Sequence, residues 1–280
     1  MLKPNQLMRI GSFFYFYLML GLIGLSLIAC GGNKVRADLT TAERLEYAMK
    51  LFQDRDYYDA RTQFRIVVLN APGSVSVDQA QFYLAECHFH MEEFITAAAE
   101  YEKVIRLYSR SEFLDDAQFK IGLAYYELSP QAALDQKYTW KAIEELQKFL
   151  EDYPESEHKE KATDLLLKIR TKLAKKEFNS ADLYRKLGYY ESALIYFDEV
   201  LNRYYDTEYA EPALFFKALI LYRLERYTDA RETLYQLTDK YRREQQRDDG
   251  KSRKPKFASR AQTLLRLIDQ KLSTNGEAKK

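Results

Sequence analysis

One phrase recurs five times along this chain, and a recurrent unit of that kind dictates a repeat architecture before any single residue is weighed. Its clearest copy is Gly188-Tyr189-Tyr190-Glu191-Ser192-Ala193-Leu194-Ile195-Tyr196-Phe197-Asp198-Glu199-Val200. Gly188 can adopt the left-handed conformation that closes a helix. Ala193, Phe197 and Val200 then fall at offsets of four and three, on one face of a new helix. The other copies are Tyr57, Ala60, Phe64 and Val67; Phe94, Ala97, Tyr101 and Val104; Ala142, Leu146 and Phe149; and Tyr227, Ala230, Leu234 and Leu237. Their alanines lie 37, 45, 51 and 37 residues apart. Ala48, Ala85, Ala181 and Ala218 stand twelve residues before the alanine of their copies, and Gly122 fills that role in the third, across a longer loop. Small residues at both places let two helices approach closely.

The tetratricopeptide (TPR) unit is about 34 residues, so two spacings add a few loop residues and two carry insertions. The fold class expected is all-α, a right-handed TPR superhelix of five helix pairs plus a C-terminal capping helix. Pro72 and Pro154 close two of the second helices, while Ser109, Tyr205 and Arg242 stand at the same place in the others and give weaker stops. Repeats one to three occupy residues 40–156, with an insertion from Leu128 to Tyr138. Repeats four and five occupy 157–242, opened by an unusually long helix from Glu157 to Leu187. A charged loop over 243–256, the capping helix over 257–272 and a flexible tail over 273–280 complete the reading.

The composition agrees. Hydrophobic residues make up 46% and aromatics 14%, with only 10 Gly and 6 Pro, which excludes disordered and all-β classes. A net charge of +1 gives no global basic excess to attract nucleic acid. Residues 1–29 read as a targeting segment, with Lys3 and Arg9 ahead of an apolar run from Phe13 to Ala29. Its end, Leu27-Ile28-Ala29-Cys30-Gly31-Gly32, resembles a bacterial lipobox. That resemblance implies a lipidated Cys30 as mature N-terminus, a tether over 30–39, and an outer-membrane address facing the periplasm, since Gly31 rather than Asp follows the cysteine. Several acyl chains anchor stably where one does not. The other reading is an uncleaved anchor with an incidental cysteine. With Cys30 lipidated, Cys87 is the one further cysteine, so no intramolecular disulfide is possible.

No enzyme signature emerges, and no catalytic residue, metal or cofactor is expected. Phosphate-binding glycine loops are absent. Cys87, His88 and His90 have metal-ligand character, but His88 leaves the face that Cys87 and His90 share on a helix. The acidic pairs Glu144-Glu145 and Glu151-Asp152 point apart on a helix and read as solvated faces.

The binding surface says more. In a TPR the first helix of each pair lines the groove, which places Phe52, Phe82, Phe89, Phe119 and Tyr126 there. Phe82 with Phe89, and Phe119 with Tyr126, are two turns apart on their helices. Aromatic pockets of this kind suit short extended or helical peptides with large apolar residues. A tightly curled solenoid would instead bury the same rings as core.

A lipobox, five TPR pairs and an extended helix in repeat four together resemble the BamD family, TPR lipoproteins of the outer-membrane β-barrel assembly (BAM) machinery. The resemblance spans the mature chain. It is strongest at Ala80-Gln81-Phe82-Tyr83-Leu84-Ala85, at Tyr101 to Tyr108 and at Leu201 to Ala210. It implies a scaffold without catalysis that binds a BamA-like barrel protein through its C-terminal repeats, beside other BAM lipoproteins. It also implies that unfolded outer-membrane protein peptides are received by the N-terminal repeats. Family geometry and local charge place the docking end at Arg242, Arg243, Arg247, Lys251 and Arg253; the plainer reading of those residues is a solvated loop. A different envelope TPR lipoprotein, such as a pilus or secretion-system assembly factor, is the alternative.

Overall fold

The computed structural model describes residues 39–74, 76–247 and 256–277. Every regular element among them is a helix: α1 (Thr41–Gln53), α2 (Tyr57–Asn70), α3 (Val77–His90), α4 (Phe94–Leu107), α5 (Leu114–Glu127), α6 (Lys137–Asp152), α7 (Lys159–Leu187), α8 (Tyr190–Arg203), α9 (Ala210–Arg223), α10 (Tyr227–Arg247) and α11 (Ala258–Glu277). The chain forms two compact units, one ending at Ala80 and the other beginning at Gln81.

In the first unit α1 and α2 pair as a hairpin. Thr40 opens α1 with a capping box: its hydroxyl accepts from the Glu43 amide while the Glu43 carboxylate accepts from the Thr40 amide. Ala48 and Ala60 are fully buried, and Phe64 fills the space beside them. Arg44 ties the hairpin from the side, Nη1 2.7 Å from Gln63 Oε1.

The second unit repeats this construction. Ala85 with Ala97, Ala181 with Ala193 and Ala218 with Ala230 are buried without exposure, as are Tyr101, Phe197 and Leu234 one turn beyond. Each such large side chain contributes roughly 1.5–3 kcal/mol through burial. Gly122 replaces alanine for a steric reason, since a Cβ there would lie 2.8 Å from the Leu146 side chain. The side ties recur: Gln81 donates to Glu100 (2.8 Å) and Gln118 to Glu145 (2.8 Å).

The turn between paired helices is also one device used four times. A left-handed residue follows the first helix: Arg55, Glu92, Gly188 and Glu225, with φ of 63°, 61°, 83° and 60°. The next amide reaches back to a carbonyl five residues earlier, as in Asp56 to Leu51, Glu93 to His88, Tyr189 to Tyr184 and Arg226 to Leu221. These are Schellman closures, which satisfy carbonyls a helix end leaves open. Only the insertion at 128–136 replaces one.

Second helices end alike whether or not proline follows. The amides of Ala71, Tyr108, Tyr153 and Tyr204 close on Val67, Val104, Phe149 and Val200. Two sequence expectations need correction here. At Arg242 the helix does not stop, and α10 runs to Arg247, so the segment expected as loop from residue 243 begins in helix. The last helix likewise continues past residue 272 to Glu277. The long helix of repeat four starts at Lys159.

Two hydrophobic clusters divide the second unit along α7. One gathers α3 to α6 with Ala162, Leu165, Ile169 and Leu173; the other begins at Ala181 and reaches Ala261, Leu264 and Ile268 of α11. No helix among the described residues is long and apolar enough to cross a membrane.

Candidate functional site

The five candidate groove rings divide into two classes. Phe82 and Phe119 are core, with 7% and 1% exposure, so the reading of them as open groove is corrected. Phe52, Phe89 and Tyr126 are half-buried. Phe52, in the first unit, packs edge-on against Tyr57 at 5.4 Å.

A repeated contact explains why Phe82 and Phe119 turn inward. Phe82 stacks on Phe113 (centroids 4.8 Å, planes 18° apart) and Phe119 on His158 (4.6 Å, 17°). Phe113 and His158 are the residues just before α5 and α7. Phe178 meets Tyr209, just before α9, at 5.4 Å with a tilt of 47°. In each case a ring on the first helix of one repeat packs on a ring that opens the next repeat. The side chain that sequence spacing assigns to a ligand is occupied in joining neighbours.

Between Phe82 and Phe89, Glu86 is buried, and it organises a polar cluster. Lys120 Nζ of α5 lies 2.6 Å from its Oε1, and the Tyr101 hydroxyl donates to the same carboxylate. Burial first, and then the charge of Glu86, hold the Tyr101 phenol well above its ordinary range. Lys120 also sits 5.0 Å from the centre of the Phe89 ring, a cation–π distance. The accessible face of α3 and α5 is therefore Phe89, Lys120, Leu123 and Tyr126, three largely apolar side chains beside one cation.

Tyr126 leads into a cleft of about 340 Å³ lined also by Ser129, Pro130, Gln131, Lys168 and Lys172. The repeat-three insertion forms one wall. Lys172 pins it by donating to Ser129 Oγ and to the Pro130 carbonyl (2.8 Å), and burial lowers its pKa. Sequence reading found the insertion but not Lys172, whose place in the α7 pattern carries no distinguishing signal.

On repeats four and five the corresponding face is Phe178, Asp182, Arg185 and Phe216. Burial acts to raise the Asp182 pKa, but hydrogen bonds from Lys186 and Arg185 outweigh it and hold the carboxyl below its usual range. Arg185 lies 4.7 Å from the centre of the Phe216 ring. Of the proposed docking residues, Arg242, Arg243 and Arg247 belong to the end of α10. Lys251, Arg253 and the lipidation candidate Cys30 lie outside the described residues.

Residues 38–237 match the YfiO family, described as an outer membrane lipoprotein. A curated relative from Caulobacter vibrioides, "Outer membrane protein assembly factor BamD", is 26% identical over 202 residues, covering 69% of this chain and 65% of that protein. The match thus spans somewhat less than two thirds of the relative's length. Similar solved structures include a tetratricopeptide repeat protein from Parabacteroides merdae, with 15% identity over 94% of this chain and 98% of that one at a TM-score of 0.39. A TPR protein from Thermus thermophilus is 14% identical over 71% of this chain and 91% of that one, at a TM-score of 0.34.

Proposed function

The chain belongs to the YfiO family of outer membrane lipoproteins, and from that membership we propose that it is a periplasm-facing TPR scaffold, anchored through Cys30, that serves β-barrel assembly in the outer membrane. The observation that carries this reading is the extent of the match, which takes in both helices of repeats one to four and repeat five as far as Leu237. Repeats four and five, with the basic segment from Arg242, dock a BamA-like barrel protein alongside other BAM lipoproteins. Repeats one to three receive unfolded client segments, at Phe52 in the first unit and at Phe89 and Tyr126 in the second. The role is binding, without catalysis. Ordering a flexible client offsets much of what ring burial contributes, so affinity is on the order of micromolar.

The test is crosslinking in cells from positions 243, 247 and 251, followed by purification from detergent-solubilised membranes. The expected product is a β-barrel membrane protein joined to this chain. Capture of a pilus or secretion component instead would assign the alternative envelope role. Separately, Cys30→Ser should leave the precursor uncleaved and without acyl label, and an unmodified Cys30 in the native protein would refute the anchor.

A further inference from the structure

His158 stands where its counterparts are Phe113 and Tyr209, at the ring that opens a repeat. Stacking on Phe119 at 4.6 Å would be served as well by phenylalanine. Imidazole differs by its nitrogens, and Nε2 lies 2.6 Å from Asp116 Oδ1 and 3.9 Å from Glu157 Oε1. Each pair of these three donor atoms lies within 4.8 Å.

We propose that Asp116, Glu157 and His158 form a binding site for a divalent transition-metal ion of the zinc type. One nitrogen and two carboxylate oxygens are an accepted donor set for that ion, with the fourth position left to water. Tetrahedral coordination at zinc bond lengths separates donor atoms by roughly 3.3 Å. His158 and Asp116 therefore part by somewhat less than an ångström, and Glu157, 85% exposed, swings inward at little cost. The ion takes the place of the proton between Nε2 and Asp116, so the ring binds as the neutral tautomer carrying its proton on Nδ1.

The surroundings support the site. Ser156 Oγ donates to Asp115 (2.8 Å) and accepts from the His158 amide (3.3 Å), which fixes the turn holding Glu157 and His158 against the first turn of α5. Asp115, Asp116 and Glu157 bring three carboxylates together, and Lys161, over the Phe119 ring at 5.4 Å, is a nearby cation. A bound ion relieves that imbalance and clamps α5 to the start of α7, where repeats three and four meet. Sequence reading missed it because Asp116 is remote in the chain from Glu157 and His158.

The full chain, solubilised in detergent, is titrated with zinc chloride by calorimetry and by thermal unfolding. One equivalent should bind at micromolar zinc and raise the unfolding midpoint, while magnesium does neither. Glu157→Gln removes a charged ligand and should weaken zinc binding measurably. His158→Phe keeps the stacked ring found at the equivalent positions, so it should fold normally and lose zinc binding. No binding by the native chain, or equal binding by His158→Phe, overturns the site; the second result would move zinc to residues such as His88 and His90.

Discussion

Phe257 stacks on Phe215 with ring centroids 4.8 Å apart and planes 26° from parallel. It stands just before α11, as Phe113 stands before α5, so the final helix is seated like the first helix of a further repeat. Its amide also donates to Glu211 Oε1 at 3.0 Å. A solenoid needs its last apolar face covered, and α11 does this by reusing the contact that joins every earlier pair of repeats in the second unit.

Removing residues from Phe257 onward should therefore lower stability by several kcal/mol. Ala261, Leu264 and Ile268 leave the core, at roughly 1.5–3 kcal/mol for each large side chain. Phe257→Ala alone should reproduce part of that loss. Urea unfolding of both variants checks this, and an unchanged midpoint for the truncation would remove the capping role.

The two classes of candidate ring should separate in experiment. Phe119→Ala deletes a fully buried ring and should cost about 3–5 kcal/mol, taking any peptide binding with it. Phe89→Ala and Tyr126→Ala remove half-exposed rings and should cost much less. They should still weaken binding of an aromatic-containing barrel-precursor peptide several-fold by fluorescence anisotropy. A destabilised Tyr126→Ala, or full binding by both variants, would place the client elsewhere.

The contrast shows what the sequence could carry. The paired small residues were legible because close helix approach admits nothing larger, and Gly122 against Leu146 is the extreme case. Helix ends were less legible, because the backbone turns at Tyr108 and Tyr204 form without proline. The aromatic face was misassigned at Phe82 and Phe119, because spacing gives the direction of a ring and not what awaits it. Their partners, Phe113 and His158, lie in turns, where no periodicity marks them.

The hairpin turns give a second kind of test. Arg55, Glu92 and Glu225 hold left-handed backbone that costs a residue with a Cβ about 1–2 kcal/mol. Glycine is free of that penalty but has more conformational freedom to lose on folding. Glu92→Gly and Glu225→Gly should each stabilise by up to about 1 kcal/mol, and Gly188→Ala should destabilise by about 1 kcal/mol. No atom crowds the added Cβ at Gly188, so that loss would come from the backbone alone. Thermal midpoints moving the opposite way would show that side-chain contacts outweigh backbone strain.

Tyr101 contributes to the response of stability to alkali. In the unfolded chain its phenol ionises near pH 10. In the fold, burial and then Glu86 keep it protonated well above that. Below pH 10 both states hold the proton, and this group gives stability no pH dependence. Above it the unfolded chain releases a proton that the folded chain retains, so stability falls as pH rises towards the folded value. Tyr101→Phe removes the titration from both states and should flatten the alkaline decline. It should not abolish it, because burial also raises Tyr83, Tyr153, Tyr204 and Tyr209. Near neutrality the variant loses a hydrogen bond to a charged group, worth about 1.5–3 kcal/mol. The net loss should fall at the lower end, since Lys120 still holds Glu86. Urea midpoints for both proteins at neutral pH and above pH 10 measure the two effects, and parallel alkaline slopes would show that Tyr101 does not contribute to the decline.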